Sequence, residues 1–260
     1  MFRLIAVVLL GMTVFPLQAA VVGKDVSYQA GDTVMKGYLA FDDAVAGKRP
    51  GILVVHEWWG HNAYARKRAD MLAELGYTAL AVDMYGDGKT ADHPDNAGKF
   101  ATAVRQDQDK LQTRFNAARD YLNNHETVDP ERNAAIGYCF GGSVVLSMAR
   151  SGADLDGVVS FHGSVGGLPP IADKVTARVL VANGAEDPFV SRDSIEIFKE
   201  DMETAGVDFE FIDYPDAKHS FTSPEANTYG EKFGLPLEYN AEADKASWEK
   251  MQEFLDSLFK

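Results

Sequence analysis

The chain holds a single cysteine, Cys139, in the run Ile136-Gly137-Tyr138-Cys139-Phe140-Gly141-Gly142. An apolar strand that runs into a glycine-flanked turn is the setting of a nucleophile elbow, here with Cys where Ser is usual. A nucleophile at the tip of a sharp strand-to-helix turn sits in a strained backbone. Its neighbours two positions away must then be small, so that strand and helix can approach. Gly137 and Gly141 meet that condition. The next backbone N–H, that of Phe140, opens the helix and is placed to hold an oxyanion. The competing reading is a buried structural thiol, the usual condition of a lone cysteine.

A thiol nucleophile needs a base to take its proton, and the base needs a carboxylate to hold its tautomer and stabilise its cation. Two later loops supply those types. Gly184-Ala185-Glu186-Asp187-Pro188-Phe189-Val190 bears Asp187, and Pro215-Asp216-Ala217-Lys218-His219-Ser220-Phe221 bears His219. Each follows a strand-like apolar run, and the order Cys139, Asp187, His219 is the nucleophile–acid–histidine order of hydrolases built on such sheets. Singly, His219 is a surface histidine and Asp187 a turn carboxylate. Three residues in one order at three strand ends are hard to obtain by accident.

The other histidines carry less. Val55-His56-Glu57-Trp58-Trp59-Gly60-His61 superficially matches the zinc signature H-E-x-x-H. Its second histidine is at i+5, off the first one's helical face, and the segment is a strand end followed by a turn. No metal and no other cofactor is expected. His93 and His125 read as solvated, and His162 as either a pocket-lining or a structural residue.

These residues need a scaffold that brings strand ends together. Val34 to Phe41 reads as an early antiparallel strand, and Gly51 to His56 as a strand buried on both faces. Asn62 caps a helix with Ala65, Ala69 and Leu72 on one stripe, ended by Gly76. Tyr77 to Asp83 is the next strand, and Lys99 to Asn124 one long polar helix. Ala134 to Tyr138 feeds the elbow, and Gly142 to Arg150 leaves it. Strands at Gly157 to Phe161, Val179 to Asn183 and Phe209 to Tyr214 follow, with a helix over Ser191 to Ala205. Trp248, Met251, Leu255 and Leu258 mark a C-terminal amphipathic helix. This alternation predicts a three-layer α/β fold, a mostly parallel sheet flanked by helices, with ligands beyond the carboxyl ends of the strands.

Charge and length narrow the class. The 260 residues carry a formal charge of −14, which disfavours nucleic acid and anionic lipid as partners. Residues 1–20 combine Arg3, an apolar run from Leu4 to Phe15, and small residues at Ala19 and Ala20. That pattern is a secretory signal peptide cleaved after Ala19 or Ala20, although Leu17 and Gln18 are larger than the −3 position prefers. The apolar run is short for a membrane span. The expectation is an exported protein, periplasmic or secreted and off the membrane once the signal is cleaved, with residues 21–260 as one domain. Its oligomeric state is left open, a monomer being compatible. With one cysteine, no internal disulfide can form, so an oxidising compartment leaves Cys139 unpaired.

As a set, His56-Glu57-Trp58-Trp59-Gly60, the elbow Gly137 to Gly142, Glu186-Asp187-Pro188 and Ala217-Lys218-His219-Ser220-Phe221 resemble the dienelactone hydrolase family of the α/β-hydrolase superfamily. The resemblance spans about Val34 to Phe259. It implies an α/β-hydrolase fold and a Cys139–His219–Asp187 triad. It also implies that Glu57 contacts the resting thiol and helps generate the thiolate, and that the Trp58 N–H completes the oxyanion hole beside Phe140. A carboxylate beside the thiol disfavours its ionisation, which would protect it until substrate arrives.

The chain departs from the family in one respect. Members that hydrolyse dienelactone hold its carboxylate with arginine, one of them shortly after the catalytic histidine, whereas here His219 is followed by Ser220-Phe221-Thr222-Ser223-Pro224-Glu225. Arg105 and Arg114 are the candidate substitutes, but nothing in the sequence places them. The loop Thr222 to Asn240 is expected to cover an apolar or aromatic pocket, with Trp59, Tyr85, Phe221 and Tyr229 as candidate substrate contacts. The expected activity is cleavage of a small ester or lactone through a thioester acyl-enzyme. The alternatives are a non-catalytic member binding a small molecule or protein in the same crevice, and a weaker redox role by intermolecular disulfide exchange.

Overall fold

A computed structural model describes residues 21–171 and 174–260. The export-type segment read over residues 1–20 lies outside them. Eight strands form one sheet: β1 (Val21–Ala30), β2 (Thr33–Asp42), β3 (Arg49–Val55), β4 (Thr78–Val82), β5 (Val128–Tyr138), β6 (Gly157–Phe161), β7 (Arg178–Gly184) and β8 (Phe209–Tyr214). Their order is β1-β2-β4-β3-β5-β6-β7-β8. Strand β2 alone is antiparallel to its neighbours, β1 and β4, and β4, β3, β5, β6, β7 and β8 run parallel.

Strand β3 shows why both faces must be covered. Ile52 and Val54 point into one core with Ala65, Ala69 and Leu72 of α1 (Ala63–Glu74) and Met251 and Leu255 of α7 (Ala241–Phe259). Leu53 and Val55 point into the other. That second core includes helices α2 (Pro94–Arg105), α3 (Gln108–Asn123), α4 (Phe140–Arg150) and α5 (Arg192–Thr204). Successive strand residues face opposite ways, so an uninterrupted apolar run requires a helical layer on each side. The expected three-layer α/β architecture is the one observed.

Three local expectations differ. The strand β1 precedes the first strand that the apolar pattern predicts; its residues are mostly exposed or half-buried, so it lacks a buried apolar run. The long helix over Lys99 to Asn124 is two helices, broken at Gln106–Asp107. The Asp107 carboxylate there accepts a 3.0 Å hydrogen bond from the Lys110 N–H and starts a new helix. Side-chain capping satisfies one otherwise orphaned donor and competes with helix continuation. The stretch from Thr222 to Asn240 is not all loop: it contains α6 (Ala226–Phe233), closed by Gly234 in the left-handed region at φ 64°.

Candidate active site

The parallel strands place their carboxyl ends side by side, and the chemical residues follow those ends. Glu57 comes after β3, Cys139 after β5, His162 after β6, Asp187 after β7 and His219 after β8. Cys139 adopts φ 53° and ψ −111° immediately before α4, a conformation that costs a non-glycine residue on the order of 1–3 kcal/mol. The turn is tight enough that a Cβ on Gly137 would overlap the carbonyl of Gly141. One on Gly141 would overlap the carbonyl of Val55. His162 and Ser220, which flank the same site, also have positive φ, 41° and 58°.

Three side chains stand in a line. His219 Nε2 lies 3.1 Å from Cys139 Sγ. On the other edge of the ring, Nδ1 donates to Asp187 Oδ2 at 2.7 Å. Asp187 and His219 are buried, and Cys139 is half-buried. Asp187 is itself fixed, since Oδ1 accepts a 2.8 Å bond from the Phe189 N–H. Burial by itself would lower the His219 pKa; the negative charge at Cys139 and the bond to Asp187 more than offset it and lift the value to about 10. This arrangement can take a proton from sulfur and hold the resulting imidazolium.

Two residues that line a cavity with Cys139, namely Phe140 and Trp58, carry backbone donors without a partner among the described residues. The Phe140 N–H is at the first position of α4 and has no intrahelical acceptor. The Trp58 N–H has no acceptor among the described residues. Its peptide plane is pinned through the Glu57 carbonyl, which accepts from His56 Nδ1 at 2.5 Å and from the Gly60 N–H at 3.1 Å. His56 Nε2 in turn accepts from the Met84 N–H at 3.2 Å, so the ring is neutral with its proton on Nδ1. Burial lowers its pKa to about 4, which agrees with that tautomer. His56 thus supports backbone geometry and is not paired with His61.

Glu57 is fully buried, but its carboxyl meets a different partner from the one implied by the family resemblance. It accepts a 2.9 Å hydrogen bond from Ser220 Oγ, while the thiol is engaged by His219. Burial raises the Glu57 pKa to about 7, against the opposing pull of the Ser220 hydrogen bond and of His219.

Cys139 and His219 open onto a cavity of about 320 Å³, lined also by Trp58, Arg105, Phe189, Val190, Leu235 and Leu237. Phe189 packs edge-on to the His219 ring at 4.9 Å and is 55 % exposed, forming the lip. The four expected aromatic contacts lie elsewhere. Trp59 is buried and stacks on Tyr229 at 4.4 Å, Phe221 is fully buried, and Tyr85 donates to the Trp58 carbonyl at 3.0 Å. None of the four lines the cavity; they pack against other rings, Trp59 on Tyr229, Tyr85 on Phe140 and Phe221 on Tyr214, because large rings gain more by packing than by facing water. Arg105 lines the cavity, whereas Arg114 is spent on the Met84 carbonyl at 2.8 Å. No sequence pattern points to Ser220, nor to Thr222, Tyr64, Arg68 and Asp244, which form a buried set with His162. Of the two readings open for His162, the structural one fits its place, since it is buried and does not line the cavity. His162 Nε2 is 2.7 Å from Thr222 Oγ1, which is 2.6 Å from Tyr64 Oη; Arg68 joins the Thr222 carbonyl to Asp244. The position of Ser220 beside His219 was the one signal available.

The sequence matches the dienelactone hydrolase family over residues 35–259. The chain belongs to that family. As a family member it is a hydrolase of carboxylic esters with an α/β-hydrolase fold. The dienelactone hydrolase-like promiscuous phosphotriesterase P91, from metagenomic libraries, superposes with a TM-score of 0.87. It is 36 % identical, and the match covers 93 % of this chain and all of that one. Protein usf of Aquifex pyrophilus is 30 % identical over 208 residues, 76 % of this chain and 87 % of its own. A dienelactone hydrolase from Anabaena variabilis superposes with a TM-score of 0.61 over 84 % of this chain and 99 % of that one; its 21 % identity speaks to the fold alone.

Proposed function

We propose that the protein cleaves a small ester or lactone with Cys139 as nucleophile, through a thioester acyl-enzyme. His219 Nε2 takes the thiol proton and sulfur attacks the carbonyl carbon. The Phe140 and Trp58 N–H groups hold the oxyanion. Collapse breaks the carbon–oxygen bond, and the departing alkoxide takes the proton from His219. Water then attacks the thioester, gives its proton to His219, and sulfur leaves with that proton as the acid is released. Asp187 holds Nδ1 as the donor throughout. Glu57 is assigned a part in controlling thiol ionisation, a role that its burial and raised pKa support.

The observation that carries this reading is the hydrogen-bonded line from Cys139 through His219 to Asp187, open at its sulfur end to a cavity. Arg105 at the cavity wall supplies a cation for a substrate carboxylate, the task that family members give to arginine. Residues 1–20 are proposed to direct export, so that the working enzyme begins near Val21; the N-terminal sequence of enzyme recovered from periplasm or medium tests this.

A screen of lactones and p-nitrophenyl esters against wild type and Cys139→Ala tests the chemistry. The expected result is a burst of p-nitrophenol in the wild type and a loss on the order of 10³ or more in kcat for the variant. Iodoacetamide should inactivate the enzyme rapidly, and a bound ester should slow it. Turnover that survives Cys139→Ala would remove the nucleophile assignment.

A further inference from the structure

Two cavities meet along one side of α4. The first holds Cys139. The second, about 390 Å³, lies farther along the same helix and is lined by Gln108, Gln112, Ser147, Arg150 and the chain around Gly166–Ile171, among others. Arg105 and Ser143 line both. Cys139, Ser143, Ser147 and Ser151 recur every four residues, which places them on one helical face. Ser143 and Ser147 are also the two residues within α4 that are not fully buried. A polar track therefore runs from the thiol to the far end of the helix.

Arg150 stands at that far end. It is 5 % exposed, and its side-chain hydrogen bonds among the described residues go to no carboxylate. Its Nη1 and Nη2 donate to the carbonyls of Gly166 at 3.3 Å and Val165 at 2.6 Å, and Nε has no partner among the described residues. Burial pulls the guanidinium below its ordinary pKa, with Asp201 opposing at a distance. The guanidinium also lies over the Phe198 ring at 5.1 Å. A buried cation met among the described residues by carbonyls and a ring face, with no counter-charge, still keeps much of its desolvation cost, and an anion is the group that would offset it.

The surroundings agree in sign. The chain has 39 acidic and 25 basic residues, but no described residue lining either cavity is acidic, and two are arginines. A cleft of one sign on a surface of the other concentrates ions of opposite charge at its mouth.

We propose that the second cavity is a subsite for a remote carboxylate, so that the preferred substrate is an elongated ester whose reacting carbonyl sits at Cys139 and whose acid end reaches Arg150. This rests on the thiol-hydrolase reading and narrows its substrate to half-esters of dicarboxylic acids. The Cα atoms of Cys139 and Arg150 are eleven residues apart, about 16 Å along the helix, and the arginine side chain leans back toward the thiol. A medium-length chain spans the interval.

The test compares mono-p-nitrophenyl sebacate with p-nitrophenyl decanoate, which match in length and differ in the terminal carboxylate. The wild type is expected to favour the sebacate half-ester in kcat/KM by about tenfold or more. Arg150→Gln should erase that preference. Because Arg150 also ties down two carbonyls, Gln112→Glu provides a second variant that places a carboxylate in the cavity and breaks no hydrogen bond described above. It should lower the sebacate-to-decanoate ratio about tenfold. Equal use of both esters by the wild type, or a preference that survives in both variants, overturns the subsite while leaving the thiol chemistry standing. Turnover retained by Cys139→Ala instead overturns the underlying reading, and the subsite with it.

Discussion

The Ser220 hydroxyl donates a 2.9 Å hydrogen bond to Glu57, tying the loop that carries His219 to the loop that follows β3. That bond favours the charged form of a carboxyl that burial holds at a pKa of about 7. Ser220→Ala should therefore push the Glu57 pKa higher still. In a profile of kcat/KM against pH, the limb that reports Glu57 should move to higher pH by roughly half a unit to one unit. Glu57→Gln should abolish that limb, and profiles unchanged in both variants would disconnect Glu57 from the reaction.

The same carboxyl makes stability depend on pH. Its folded pKa of about 7 lies above the ordinary 4.5, so as pH rises the unfolded chain ionises first. Stability is unaffected below about pH 4.5 and falls as pH rises toward 7, by on the order of 2–3 kcal/mol. Glu57→Gln has no such proton to lose. Urea unfolding at pH 5 and pH 8 should show the difference between the two pH values shrinking by that amount in the variant.

His56 bears on the proposed oxyanion donor, the Trp58 N–H, through the backbone. Its Nδ1–H holds the Glu57 carbonyl at 2.5 Å, in the same peptide plane as the Trp58 N–H. His56→Phe keeps a ring in the aromatic packing but removes the donor. The expected effect is a fall in kcat of roughly 10-fold to 10²-fold with KM changed little, since an oxyanion donor acts in the transition state. A change confined to KM would argue for a binding role.

His219 owes its raised pKa to Cys139 and Asp187, against burial. Removing the sulfur in Cys139→Ala should drop the imidazole pKa well below about 10, and Asp187→Asn should drop it too. Imidazole NMR through a pH titration reads both. Asp187→Asn should in addition cost on the order of 10²–10⁴ in kcat through the wrong tautomer.

The elbow leaves no room for a methyl group. Gly137→Ala would place a Cβ against the Gly141 carbonyl and separate β5 from α4. The expected loss is about 3 kcal/mol or more, seen as a large fall in the urea midpoint. An Ala variant as stable as the wild type would mean that the turn can relax.

The strands around the site were legible because their signal is local: β6 and β8 span the residues that their apolar runs predict. Helix breaks were less so. Asp107 capping its own helix and Gly234 ending another depend on single residues inside polar stretches where periodicity says little. The aromatic residues expected at the cavity do not line it, because ring content does not say which surface a ring packs against. Trp59 and Tyr229 stack on each other outside the cavity lining, while Leu235, Leu237 and Phe189 line it.

By itself, the sequence determined the α/β layering and the order Cys139, Asp187, His219 at three strand ends. Both follow from spacing along the chain and from the periodicity of buried residues, while its motifs taken together carried the resemblance to the family. Tertiary structure alone decided which arginine lines the thiol's cavity, which partner holds Glu57 and where the second cavity opens. Ser220 and Glu57 are 163 positions apart, and no local pattern encodes their meeting. Cys139 gains its neighbours only when the parallel strands bring their carboxyl ends together.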